Sequence, residues 1–151
     1  MFKTILAACS VLALCATAAR ASEPLKAVVG SYLEIQAALA ADKVPATKAP
    51  AAAIVKDAAP MGAAGADIVT AAKALEQAGD LRKAREAFAK LSGAVIAAAK
   101  ADGWNGLEGL KLGYCPMAPK PGSWLQKEDK VRNPYYGTLM LECGELKDPR
   151  K

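Results

Sequence analysis

The stretch DLRKAREAFAKLSGAVIAAAKAD, residues 80–102, decides how the chain reads. Leu81, Ala84, Phe88, Leu91, Val95 and Ala98 recur there at spacings of three and four, which gathers them on one stripe of an α-helix. Asp80 stands at the N-cap position, where a carboxylate accepts a free N–H of the first turn. Asp102-Gly103 supplies the stop. Lys83, Arg85, Glu86 and Lys90 form the wet side. A helix with one apolar stripe needs a partner surface.

The residues before it offer three more helices. Leu25, Val28, Tyr32, Ile35 and Leu39 mark an amphipathic helix from about Pro24 to Ala41, punctuated by Asp42 and Pro45. Thr47 is expected to cap a second helix whose first turn holds Pro50, where a missing N–H costs little. Ile54, Val55 and Ala58 form its inner face, and Pro60-Met61-Gly62 ends it. A third, from about Ala64 to Gln77, carries Ile68, Ala72 and Leu75 and closes at Gly79. Four helices on short loops predict an all-α fold, an antiparallel four-helix bundle.

After Gly103 the character changes. Glycine and proline become frequent, and both tryptophans and three of the four tyrosines lie here. Leu110, Leu112 and Tyr114 alternate, a short strand-like lead into Cys115. The expectation is one domain, residues 22–151, in which a small irregular lobe (103–151) packs on the bundle (22–102). Little in that lobe could fold alone.

Composition narrows the chemistry. The 151 residues amount to one domain. They are 53% hydrophobic but only 5% aromatic, and alanine, the best helix former, supplies much of the apolar fraction. There is no histidine, which excludes a Ser-His-Asp triad, a Cys-His pair and a His-ligated zinc. The net charge of +5 is spread among acidic residues and lends little support to nucleic-acid binding.

The first 21 residues read as a secretory signal peptide. Met1-Phe2-Lys3 is a basic start, Ile5 to Ala19 an apolar run, and Ala19-Arg20-Ala21 a cleavage site before Ser22. A transmembrane anchor is disfavoured because the run is shorter than about 20 residues and ends in Arg20. A lipoprotein signal at Leu6-Ala7-Ala8-Cys9 is disfavoured because too little apolar chain precedes Cys9. Cleavage after Ala21 leaves 130 residues with 18 basic and 15 acidic side chains, an exported periplasmic protein with no membrane span.

Export leaves two cysteines, Cys115 and Cys143, in an oxidising compartment where a disulfide is the default. Such a staple is worth about 3 kcal/mol. Each cysteine, however, has a methionine beside it: Cys115-Pro116-Met117 and Met140-Leu141-Glu142-Cys143. In an extended stretch Cys115 and Met117 face one way, and on a helical turn Met140 and Cys143 are neighbours. If the chain folds back, two thiolates and two thioethers converge. Soft sulfur donors without histidine select Cu(I), or Ag(I) as its mimic. Trp124 is a candidate shield or cation–π neighbour of the ion, and Glu142 is expected to face away.

The bland readings stand beside these. Met117 and Met140 also suit core filling. Trp124, Tyr135 and Tyr136 suit core packing with hydroxyls turned to water. Asn133-Pro134-Tyr135-Tyr136-Gly137 reads as a turn, and Lys127-Glu128-Asp129-Lys130 as a solvated loop. An enzyme is the weakest class, because Cys-x-x-Cys is absent and no acid/base pair of carboxylates is evident.

Tyr114-Cys115-Pro116-Met117-Ala118, Ser123-Trp124-Leu125, Asn133-Pro134-Tyr135-Tyr136-Gly137, Met140-Leu141 and Cys143-Gly144 together resemble the signature of one family. It is a domain of unknown function in small exported bacterial proteins, also appended to CusB-type adaptors of copper/silver efflux pumps. Ser31-Tyr32-Leu33 with Ala38-Leu39, and Arg85-Glu86-Ala87-Phe88 with Leu91-Ser92, resemble its first and last helices. The resemblance implies copper handling outside the cytoplasm. The expected function is a periplasmic Cu(I) carrier or buffer with Cys115, Met117, Met140 and Cys143 as metal ligands and an efflux adaptor or other envelope protein as partner. The competing expectation is a non-catalytic docking module with a Cys115–Cys143 disulfide and an exposed aromatic surface.

Overall fold

The computed structural model describes residues 18–151; the signal-peptide reading of residues 1–21 falls mostly outside them. Four helices form the larger part: α1 (Ala18–Ala40), α2 (Lys48–Ala58), α3 (Ala63–Gln77) and α4 (Leu81–Ala101). Each packs on the next, and α4 returns to α1. Among the described residues no helix is long and apolar enough to cross a membrane. The stripe read from residues 80–102 is the buried face of α4: Ala84, Phe88, Leu91 and Val95 are fully enclosed. Asp80 accepts from Lys83 N at 2.8 Å, as an N-cap should.

The start of α2 differs from expectation. Thr47 makes no side-chain cap; it closes a 3-10 turn, Val44–Thr47, that runs straight into α2, and its hydroxyl donates to Val44 O. A helical backbone at Thr47 leaves no extended N-cap geometry to use. The same end of α2 is tied to the end of α3 by Lys48, whose ammonium donates to Glu76 O at 2.5 Å and to Ala78 O. A cation there meets the unpaired carbonyls at the end of α3.

The all-α expectation is overturned. The C-terminal lobe contains a three-stranded antiparallel sheet, β1 (Lys111–Tyr114), β2 (Ser123–Gln126) and β3 (Glu145–Lys147), in the order β2-β1-β3, so the fold is α+β. Only the lead into β1 showed alternation. In β2, Trp124, Leu125 and Gln126 are all buried, so inside and outside do not alternate. In β3 a single apolar residue, Leu146, stands between charges. Strands this short carry too few residues for a period to register.

Bundle and sheet share one core. Tyr32 of α1 stacks on Phe88 of α4 at 5.1 Å between ring centroids; Phe88 meets Tyr135 at 5.7 Å, and Tyr135 meets Trp124 of β2 edge-on at 6.0 Å. The Tyr32 hydroxyl lies 2.6 Å from Ser92 Oγ and accepts from Leu125 N at 3.0 Å. The N–H of an edge strand is thereby satisfied by a helix side chain rather than left free. Gly113, opposite Trp124 in the register, is small by necessity: a Cβ there would lie 2.2 Å from the indole.

A second joint lies at the end of α1. Asp42, with φ of 60°, receives Arg85 Nη2 at 2.5 Å, Thr138 N at 3.1 Å and the Thr138 hydroxyl. Arg85 Nε also donates to Pro134 O at 3.0 Å. Arg85 is therefore not on the wet side of α4 but half-buried against the 133–138 segment. Gly137 sits directly over the pair, where a Cβ would fall 1.9 Å from Asp42 Oδ1.

Two outcomes follow. Tyr32→Phe leaves the buried Ser92 hydroxyl and Leu125 N–H without their partner and is expected to cost about 1–3 kcal/mol in urea unfolding. Asp42 is held below its ordinary pKa of 3.8, first by the Thr138 hydroxyl and then by the Thr138 amide and Arg85. A lowered folded-state pKa stabilises above the unfolded value, and that contribution fades as pH falls through the lowered one. Asp42→Asn tolerates the left-handed backbone and is expected to flatten the loss of stability below pH 3.8. Urea midpoints followed from neutral pH downward check it.

Candidate metal centre

The sheet brings the two cysteines together. Cys115 follows the last residue of β1, and Cys143 lies two residues before β3. Their strands pair antiparallel with Tyr114 opposite Glu145, so the end of one meets the beginning of the other. Cys115 Sγ and Cys143 Sγ stand 3.2 Å apart as free thiols. Cys115 is completely buried and Cys143 half-buried. Gly144, with φ of 125°, makes the approach possible, since a Cβ there would lie 2.7 Å from Tyr114 O and 3.1 Å from the Trp124 ring.

The separation can be weighed against two chemistries. A disulfide needs the sulfurs at about 2.05 Å, a closure of roughly 1 Å. Two thiolates on one metal, each bond about 2.3 Å at trigonal or tetrahedral angles, need roughly 3.7–4.0 Å, an opening of about 0.5–0.8 Å. Neighbouring Cys115 raises the Cys143 pKa above its ordinary 9.0, chiefly by a hydrogen bond between the thiols and further by burial. That is the opposite of the depressed value that activates a nucleophilic thiol.

The methionines are placed differently from the expectation. Cys115-Pro116-Met117 is not extended: Ala118 N bonds Cys115 O at 3.2 Å, closing a turn with Pro116 and Met117 at its centre. Proline favours that second turn position. The thioether therefore does not share a face with Cys115 by strand geometry, and Met117 is 62% exposed where Cys115 is 0%. Met140 and Cys143 do span one turn, with Cys143 N bonded to Met140 O at 3.1 Å, and Met140 is half-buried. Glu142 is exposed. Among the described residues no three Cys, Asp or Glu side chains cluster closely enough to hold an ion, so any third ligand to the cysteine pair must be of another kind.

Trp124 is wholly buried, its indole N–H donating to Gln126 Oε1 at 2.9 Å, and its ring lies against the Gly144 backbone beside Cys143. Tyr135 is core as expected, but neither tyrosine hydroxyl of this turn is given over to water. Tyr135 OH donates to Ser123 O at 2.7 Å and Tyr136 OH to Met117 O at 2.6 Å. Lys127 to Lys130 are exposed, and buried Gln126 holds their loop through Glu128 O and Lys130 O.

Asn133, which the sequence marks only as a turn former, does more than turn the chain. It is fully buried, and every polar group on its side chain is engaged. Oδ1 accepts from Tyr135 N at 2.8 Å and Tyr136 N at 3.2 Å; Nδ2 donates to Cys143 O at 2.8 Å. The Asn-Pro pair announces a turn, but nothing local tells that its amide reaches a cysteine ten residues on. Comparison with family models, curated proteins and solved structures finds no match to this chain.

Asn133→Ala strands two buried N–H groups and the Cys143 carbonyl. The expected result is a loss of roughly 1–3 kcal/mol in urea unfolding, with faster alkylation of Cys143 by a maleimide under native conditions.

Proposed function

We propose that the chain is a periplasmic protein that binds Cu(I), or Ag(I) as its mimic, and carries or buffers it for efflux or transfer. Cys115 and Cys143 are the anchoring thiolates, with Met117 and Met140 as the thioether donors. The observation that carries the reading is the pairing of a buried and a half-buried thiol at 3.2 Å, with an exposed thioether on the adjoining turn. Soft donors without imidazole favour a soft monovalent ion over zinc. Transfer then proceeds by ligand exchange: sulfur groups of an acceptor, an efflux adaptor or other envelope protein, replace the chain's own one at a time from the Met117 side. The ion is cargo, and no catalytic step is assigned. The resemblance of the Cys-Pro-Met, Asn-Pro-Tyr-Tyr-Gly and Cys-Gly motifs to the copper-associated domain family points the same way, as does the signal-like N-terminus for the compartment.

The competing reading, a docking module stapled by a disulfide, requires an exposed aromatic surface. Trp104, Trp124 and Tyr135 are buried, and Tyr114 is left as the exposed aromatic ring of the lobe.

Reduced, anaerobic protein is expected to withdraw one copper per chain from a chromogenic Cu(I) chelator, and Cys115→Ser/Cys143→Ser to withdraw none. Equal competition by the double variant, or no competition by the native chain, sinks the reading. Recovery of the exported protein as a disulfide resistant to mild reductant would favour the stapled module.

A further inference from the structure

We propose that Tyr136 is a positioning residue of the sulfur site, which sets copper affinity by fixing Met117. The inference rests on the copper reading above and says how its most exposed ligand is held. A side chain that is 62% exposed has little packing to choose its place. The turn carrying it is held at its start by Cys115 N on Gly122 O at 2.9 Å, and at Met117 itself by a side-chain hydrogen bond, the Tyr136 phenol donating to Met117 O at 2.6 Å.

That phenol is itself anchored. Tyr136 is half-buried, and its N–H bonds Asn133 Oδ1. The next residue, Gly137, bonds Asn133 O at 3.0 Å and lies on the Asp42–Arg85 pair of the bundle. From the same turn Asn133 Nδ2 holds Cys143 O. One sulfur-free turn, residues 133–137, thus grips both sulfur-bearing turns, and each grip is on a backbone carbonyl. Backbone grips leave the sulfurs free to bind while restricting where they can be. Partners of this outer kind are worth about 10–100-fold in metal affinity.

Tyr136→Phe removes one oxygen and keeps the ring, and Met117→Leu removes the thioether and keeps the bulk. Cu(I) affinity is read against the chromogenic chelator for the native chain, each variant and the double variant, with urea midpoints alongside. Tyr136→Phe is expected to bind copper about tenfold more weakly at an almost unchanged urea midpoint. In the Met117→Leu background the carbonyl that Tyr136 grips remains but the thioether it positions is gone, so the same change is expected to have no further effect on copper affinity. Native affinity in Tyr136→Phe, or an undiminished tenfold loss in the double variant, would overturn the role assigned to Tyr136 while leaving the copper reading standing. A native chain that withdraws no copper overturns both.

Discussion

The buried hydroxyl of Tyr32 joins the two halves of the molecule. It meets Ser92 on α4 and the Leu125 N–H on β2, so a helix, a second helix and an edge strand share one polar point inside an apolar core. Burial pushes its phenol pKa well above the ordinary 10.0, and the group stays neutral, able to donate and accept at once. The rings around it continue the joint: Tyr32, Phe88, Tyr135 and Trp124 form a run from bundle to sheet. In a chain with so few aromatic residues, half of them are committed to this seam, and the alanine-lined bundle has no comparable volume to offer elsewhere.

Everything at the sulfur site depends on that seam. With Trp124 seated, Gly113 must be bare because the indole occupies the space of its side chain, and Gly144 must be bare chiefly because a Cβ would crowd Tyr114 O, with the indole close behind. The bare Gly144 lets the chain before β3 close on Tyr114, and the antiparallel pairing then sets Cys143 beside Cys115. A buried polar residue completes each step: Gln126 uses its amide to close the 127–132 loop, and Asn133 ties the returning turn to the Cys143 backbone. Polar groups this enclosed stabilise only when paired, and each side-chain nitrogen and oxygen of these two has a partner.

The ion pair of Asp42 and Arg85 has a related part. It is partly exposed, so its strength as a charge pair is limited. Its value is geometric: an acidic side chain at the end of α1 receives the backbone and hydroxyl of Thr138, while its partner takes Pro134 O. The turn that grips the sulfur-bearing segments is therefore fastened to the bundle at one end and to the sheet at the other. The copper role proposed above would need ligands that are preset yet open to exchange, and a buried thiol, a half-buried thiol and an exposed thioether in sequence would supply that gradient.

The sequence by itself determined the helices. The three- and four-residue spacing of α1, α3 and α4, the Asp80 cap and the glycine and proline stops are local statements, and local hydrogen bonding makes a helix. It also marked the four sulfur-bearing residues as the unusual chemistry of the chain. It did not determine the sheet, since β2 is buried on both faces and β3 holds one apolar residue, and a strand takes its partners from far along the chain. Nor did it place the sulfurs: the Cys-Pro-Met segment, expected to be extended, is a turn, because proline suits a bend that only the β1–β2 hairpin requires. Arg85 and Asn133 were read as a wet charge and a turn former. Their partners lie on other elements, and only the tertiary structure, which brings residues 42, 85, 133 and 143 into one neighbourhood, decided what they hold.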